Sequence, residues 1–339
     1  MMKTKRNIDS RTLKTGLRNQ APGENGFLDF RPLIGRDYSI EDSTALTSEF
    51  QSPTIRSKAN ALKGGRIRRL TLLVPMTMLI ALSLAALALP ATQVIQGQEV
   101  EQFLKKGRFV AKEPLGAGVT ASLKVTIQQG DKKQFAVLKI VDQKRPGLQP
   151  NAAGVLELDF QDSWRTEVAA YELDKLIGLG MVPATIERPS PYADKPASLQ
   201  LWVEASLSEE KRRQKAIIPP DAQRWADQLS KMALFDALIY NMDRNPGNLL
   251  ITDTFEVRLI DHSRSFRPNA EIRNKDDLTR FSRSVLEKVK ALNESTIGKK
   301  LGDYLSLVQI QGLMKRRQLI LDRADELAKQ YGANAVYFP

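Results

Sequence analysis

Two short apolar runs near residue 250 constrain this chain more than any other feature. "NLLIT" (Asn248–Thr252) and "EVRLI" (Glu256–Ile260) are separated by three residues, a spacing that predicts an antiparallel hairpin. Such a hairpin brings its outer ends together, and both ends are polar. "YNMDRNPG" leads into the first run, and "DHSRSF" follows the second. Asp243 and Asn248 are therefore expected beside Asp261. Turn chemistry accounts for Asn245-Pro246-Gly247. It does not account for an acid directly after an apolar helix end, nor for a second acid closing an apolar strand.

The residue types narrow the chemistry. The chain has no cysteine and a single histidine, His262, which excludes thiolate chemistry, disulfides and any cage needing two histidines. The D-x-x-x-x-N spacing of Asp243 and Asn248 suits a phosphoryl-transfer loop. The carboxylate would orient and deprotonate an acceptor hydroxyl, and the amide oxygen would bind a cation. Asp261 would complete an oxygen-ligand site for Mg²⁺ or Mn²⁺. His262 has two readings, a phosphate contact or pH switch and a satisfied structural histidine; the second is favoured because the carboxylates suffice.

The first half of the chain reads as a sheet with one helix. "RFVAKEP", "ASLKVTIQQ" and "QFAVLKIV" are strand patterns, and "QQGDKK" is a turn between the last two. "DSWRTEVAAYELDKLIGLG" is a helix with Asp162 and Ser163 at its start and Gly178 or Gly180 at its end. "VPATIER" and "SLQLWVE" are further strands. Gly116 and Gly118, between the first two strands, would let backbone N–H groups approach phosphate oxygens. Lys139 lies in an apolar strand and calls for an anionic partner. Glu167, on the following helix, could hold it, with Glu172 as competitor. The second half is mostly helical, including "DAQRWADQLSKMALFDALIYNM" and stretches near "DDLTRFSRSVLEKVKAL" and "DYLSLVQIQGLMKRRQLILDRADELAKQYG". A sheet-rich lobe followed by a helical lobe is a two-lobed α+β layout.

The order glycine loop, strand Lys, helix Glu, D-x-x-x-x-N and strand-terminal Asp resembles the protein-kinase-like fold. "MDRNPGN" followed by "LIDHSRSF" resembles its atypical branch: the phosphatidylinositol 3-/4-kinases, the HipA-like kinases and the Golgi secretory-pathway kinases related to four-jointed. "TEVAAYELDKLIGLGMVPATIER" and "SLQLWVE" are similar to bacterial proteins of the Golgi type. The resemblance spans roughly Arg108 to Phe266. It implies ATP as cofactor, Lys139 on its phosphates, Glu167 holding Lys139, the backbone around Trp202 and Glu204 on adenine, Asp243 as base, and Asn248 and Asp261 as metal ligands. It departs from the branch at Asn245, where many relatives have His, and at Ser263, where many have Gly. The expected activity is transfer of the γ-phosphate to a hydroxyl of an unidentified protein, sugar or lipid. The alternative is a membrane-anchored pseudokinase serving as a nucleotide-binding or scaffold module.

Leu70 to Leu89, "LTLLVPMTMLIALSLAALAL", carries no charge and matches the thickness of a bilayer. "KGGRIRR" precedes it, which places the N-terminus in the cytoplasm and the folded part outside. The expected layout is a basic, weakly structured tail (1–69), a transmembrane anchor or late signal segment (70–92), a kinase-like N-lobe (105–204) and a helical C-lobe (205–339). Cleavage of the apolar segment would give an exported soluble form. The net charge is +12, of which residues 1–69 supply a surplus of seven. The short basic runs at Lys105–Arg108 and Lys211–Lys215 are read as solvated faces rather than as a nucleic-acid surface.

Overall fold

The computed structural model describes residues 93–116, 122–150, 156–204 and 206–339. The apolar stretch Leu70–Leu89 and Gly118 lie outside the described residues. No helix among the described residues is long and apolar enough to cross a membrane.

Helix α1 (Gln98–Lys106) opens the fold, ahead of the first strand. Its acids sit in the first turn and its lysines in the last, which suits the helix dipole. Val100, Phe103 and Leu104 are buried against the sheet that follows. That sheet contains β1 (Arg108–Pro114), β2 (Leu123–Gln129) and β3 (Lys132–Lys139). Gly130, at φ +58°, makes the turn between β2 and β3 that Gly-Asp predicts.

A long hairpin, β4 (Asp142–Pro150) and β5 (Leu156–Ser163), stands between β3 and the next helix. Sequence patterning does not show it. Pro146, Gly147 and Pro150 break the strand signal, and a register shift between Arg145 and Leu148 accommodates Gly147 at φ +78°. Helix α2 (Trp164–Ile177) then starts on Ser163, whose hydroxyl accepts from the Arg165 amide, and ends on Gly178 at φ +63°. Asp174 near its end accepts the amides of Gly180, Met181 and Val182 and so shapes the turn into β6 (Thr185–Glu187).

Strand β7 (Ser198–Leu201) completes an antiparallel sheet of order β1-β2-β3-β7-β6. Ala136 and Leu138 of β3 are buried. Strand alternation turns Lys139 to the opposite face, with Phe135 and Val137.

The chain continues with β8 (Ser206–Ser208) and α3 (Glu209–Gln214). In α3, Arg212 and Arg213 of the basic run both pair with Glu209, at 2.6 and 2.7 Å. Helix α4 (Ala222–Ile239), capped by Asp221, buries Leu234, Phe235, Leu238 and Ile239. A 3-10 turn (Pro246–Asn248) leads to β9 (Leu249–Thr252) and β10 (Val257–Leu259), paired Leu249 to Leu259 as the hairpin spacing predicts. Helices α5 (Arg283–Ala291), α6 (Glu294–Leu301), α7 (Leu307–Tyr331) and α8 (Ala333–Val336) pack behind, and β11 (Phe281–Ser282) pairs with β12 (Tyr337–Phe338). Arg316 of α7 is fully buried. It donates to the carbonyls of Leu238, Arg267 and Asn269, which ties the end of α4 to the segment after Asp261.

Candidate active site

Lys139, Glu167 and Asp261 meet directly. The Lys139 ammonium is 2.5 Å from Glu167 Oε1 and 2.7 Å from Asp261 Oδ1. Glu167 lies on the buried side of α2, whereas Glu172 turns away and pairs with Lys175 at 2.8 Å. Burial alone would lower the Lys139 pKa, but the two carboxylates outweigh it and raise the pKa above the usual lysine range. Burial would raise the Glu167 pKa, but Lys139, with His262 as second contributor, holds it well below the usual carboxylate range.

Asp261 adopts φ +57°, a left-handed backbone conformation that Asp tolerates better than most residues. The next amide, His262 N–H, donates to Glu167 Oε2 at 3.0 Å. His262 is fully buried, with its ring edge-on to Phe235. Arg244 Nη2 lies 3.0 Å from His262 Nε2. A guanidinium only donates, so Nε2 accepts and the ring proton sits on Nδ1. Nδ1 lies 3.6 Å from Glu167 Oε2, beyond hydrogen-bond reach.

Arg244 organises the loop between α4 and β9. It pairs with Asp236 of α4 through Nε and Nη2, at 2.9 and 3.0 Å. Its Nη1 donates to the carbonyls of Asn248 and Ile260, at 2.7 and 2.9 Å. The loop end at Asn248 and the strand end before Asp261 are thereby clamped together. The Asn248 amide donates from Nδ2 to the Asp243 carbonyl at 3.0 Å, which leaves Oδ1 for a cation. Lys139 and Ser263 both engage Asp261 Oδ1, and Oδ2 has no partner among the described residues. One carboxylate and one amide oxygen fit a hard divalent ion with phosphate or water completing the shell. Among the described residues no group of three or more acidic or histidine side chains converges as a metal cage.

Asp243 is partly exposed. Its amide is held by Asn241, its Oδ1 accepts from Asn245 at 3.2 Å, and Arg264 lies 3.7 Å from its Oδ2. Gly116 lies two residues beyond β1, with no described atom within 4 Å of where its Cβ would stand, and the Leu115 amide bonds to the Ser122 carbonyl. Trp202 follows β7, its amide bonded to Phe135 and its ring 4.7 Å from the Lys124 ammonium. The Trp202 carbonyl and the Glu204 amide both contact the side chain of Gln93, at 2.9 Å each.

Four participants are not visible in sequence patterning. Asp236 clamps Arg244, and its one signal is an acid inside the apolar run "ALFDALI". Asp162 reads from sequence as a helix cap. Its pKa is raised, chiefly by burial and further by the charge of Asp261, against a hydrogen bond with Ser263. Glu157 of β5 is buried and pairs with Arg264 and Arg267. Gln161 donates to the Ser265 carbonyl and so joins the β4–β5 hairpin to the Asp261 segment.

No family model matches the chain, and no curated protein matches it in sequence. Solved structures do match in shape. The structure of hydra Fam20 with sugar superposes with a TM-score of 0.53 at 16% identity, covering 71% of this chain and 91% of that one. The Golgi casein kinase superposes with a TM-score of 0.51 at 14% identity, covering 70% of this chain and 76% of that one. Its form with Mn/ADP bound gives a TM-score of 0.52 at 14% identity and covers 78% of that chain. At these identities the likeness establishes the fold: the described residues form the mixed α+β, atypical kinase-like architecture of the Fam20 and Golgi casein kinase structures.

Proposed function

We propose that the chain is an ATP-dependent phosphotransferase acting on a hydroxyl group. The observation that carries this reading is the contact of Lys139 with both Glu167 and Asp261. A half-buried lysine paired with a helix carboxylate, beside a strand-terminal acid, corresponds to the lysine–glutamate pair and metal-binding aspartate that protein kinases use for phosphoryl transfer. Bound ATP would supply the γ-phosphoryl group. Lys139 would meet its phosphates, and Asn248 Oδ1 and Asp261 Oδ2 would hold Mg²⁺ or Mn²⁺. The manganese and ADP in the Golgi casein kinase structure support this choice. Asp243, partly exposed and held by Asn241, would accept the proton of the acceptor hydroxyl. A protein, sugar or lipid acceptor all fit this reading.

The test is transfer from γ-labelled ATP by the full chain with either metal, compared with Asp243→Asn and Asp261→Asn. Transfer abolished by both substitutions supports the assignment. Metal-dependent ATP binding without transfer would instead support the second reading, a pseudokinase. The hold of Gln93 on the backbone groups assigned to adenine favours the scaffold form of that second reading, in which no nucleotide is bound.

We further propose that Leu70–Leu89 anchors the chain in a membrane, with the kinase-like lobes on the extracytoplasmic side. A topology reporter fused at the C-terminus tests the orientation. A cytoplasmic signal would overturn it.

A further inference from the structure

The side chain of Gln93 makes two hydrogen bonds that a bound nucleotide would also need. Its Nε2 donates to the Trp202 carbonyl and its Oε1 accepts from the Glu204 amide, both at 2.9 Å. A carboxamide presents one donor and one acceptor side by side. The amino and ring-nitrogen edge of adenine presents the same pair. The Glu204 amide has one hydrogen, so it cannot serve Gln93 and adenine together.

Gln93 is not a loose end. Ile95, two residues on, is buried, and its carbonyl accepts from the Ala184 amide at 2.7 Å. Gln96 Nε2 donates to Asp174 Oδ1 at 2.9 Å and to the Val182 carbonyl at 2.7 Å. Asp174 belongs to α2, the helix whose Glu167 holds Lys139. One short segment therefore spans from the hinge groups of Trp202 and Glu204 to the helix that positions the phosphate-binding lysine. In the sequence it follows Leu89 by only a few residues.

We propose that residues 93–96 form an autoinhibitory latch, in which the Gln93 carboxamide occupies the adenine edge of the hinge and must leave before a nucleotide binds. The inference rests on the phosphotransferase reading of the site.

The experiment measures binding of an ATP analogue with Mn²⁺ to the full chain, for wild type, Gln93→Ala and Gln96→Ala. Inorganic triphosphate with Mn²⁺ serves as a second probe, since it engages the Lys139 end and not the hinge. Loss of two competing hydrogen bonds predicts roughly tenfold tighter nucleotide binding by Gln93→Ala. Gln96→Ala, which unhooks the segment while leaving Gln93 intact, should shift affinity in the same direction. Triphosphate affinity should stay unchanged in both. Equal or weaker nucleotide binding by both variants, with triphosphate still bound, overturns the latch alone. Failure of folded wild type and variants to bind either probe overturns the phosphotransferase reading, and the latch with it.

Discussion

Arg244 and Asp236 form a two-pronged ion pair, with Nε and Nη2 donating to the two carboxylate oxygens of a residue on the neighbouring helix. The remaining guanidinium nitrogen reaches both the Asn248 and Ile260 carbonyls. A single side chain thus ties the loop after α4 to the strand that leads into Asp261. Lysine lacks the planar fork needed to do this.

Breaking that pair should be costly because both partners are largely buried. Arg244→Ala is expected to lose about 3 kcal/mol of stability, the scale for removing one member of a buried ion pair. Arg244→Lys should recover only part of it. Urea denaturation of the two variants checks the order.

The Lys139–Glu167 pair gives a pH signature. The depressed Glu167 pKa contributes stability that is present above the ordinary glutamate range and lost only as pH falls through the depressed value. The raised Lys139 pKa contributes stability present below the ordinary lysine range and lost only as pH rises through the raised value. Between about pH 5 and pH 9 the pair's contribution is therefore flat. Lys139→Met removes the main counter-charge and leaves Glu167 buried, so the variant should lose stability as pH rises from 5 to 8. Adding Glu167→Gln should abolish that slope. Melting temperatures across this range, compared with wild type, decide the matter.

Asp162 should behave in the opposite sense. Its pKa is raised, chiefly by burial, so its contribution to stability is greatest at low pH and is lost as pH rises through the raised value. Asp162→Asn is expected to raise the melting temperature at pH 8 and to lose that advantage on acidification toward pH 4. A variant less stable than wild type at pH 8 would contradict the assignment.

Glu157 links the β4–β5 hairpin to the segment after Asp261 by pairing with Arg264 and Arg267. Glu157→Gln should destabilise the chain by about 1–3 kcal/mol, because the arginines lose a charged partner in a buried setting. It should also free Arg264 to move relative to Asp243. The measurement is denaturant unfolding, with transfer activity read in parallel.

The parts of the site that sequence makes legible are those where a local pattern and a chemical need coincide. The β9–β10 hairpin follows from two apolar runs and a short turn, and it pairs Leu249 with Leu259 and bonds the Ile260 amide to the Asn248 carbonyl. Helix α2 is legible at both ends because Ser163 caps it and Gly178 stops it. Alternation turns Lys139 away from the buried Ala136 and Leu138, but choosing Glu167 over Glu172 needs the packing of α2. The β4–β5 hairpin is not legible, because Pro146, Gly147 and Pro150 erase the strand signal and it pairs mainly with itself. The roles of Asp236 and Gln93 are equally hidden. Each acts through a contact distant in sequence or across a turn, which no periodicity records.

The one histidine of the chain is sealed between Arg244 and the Lys139-binding Glu167. The site therefore carries its own spectroscopic label. Imidazole nitrogen-15 enrichment would light up a single ring, and its tautomer signature would follow the clamp, the lysine pair and any arriving cation without an added probe.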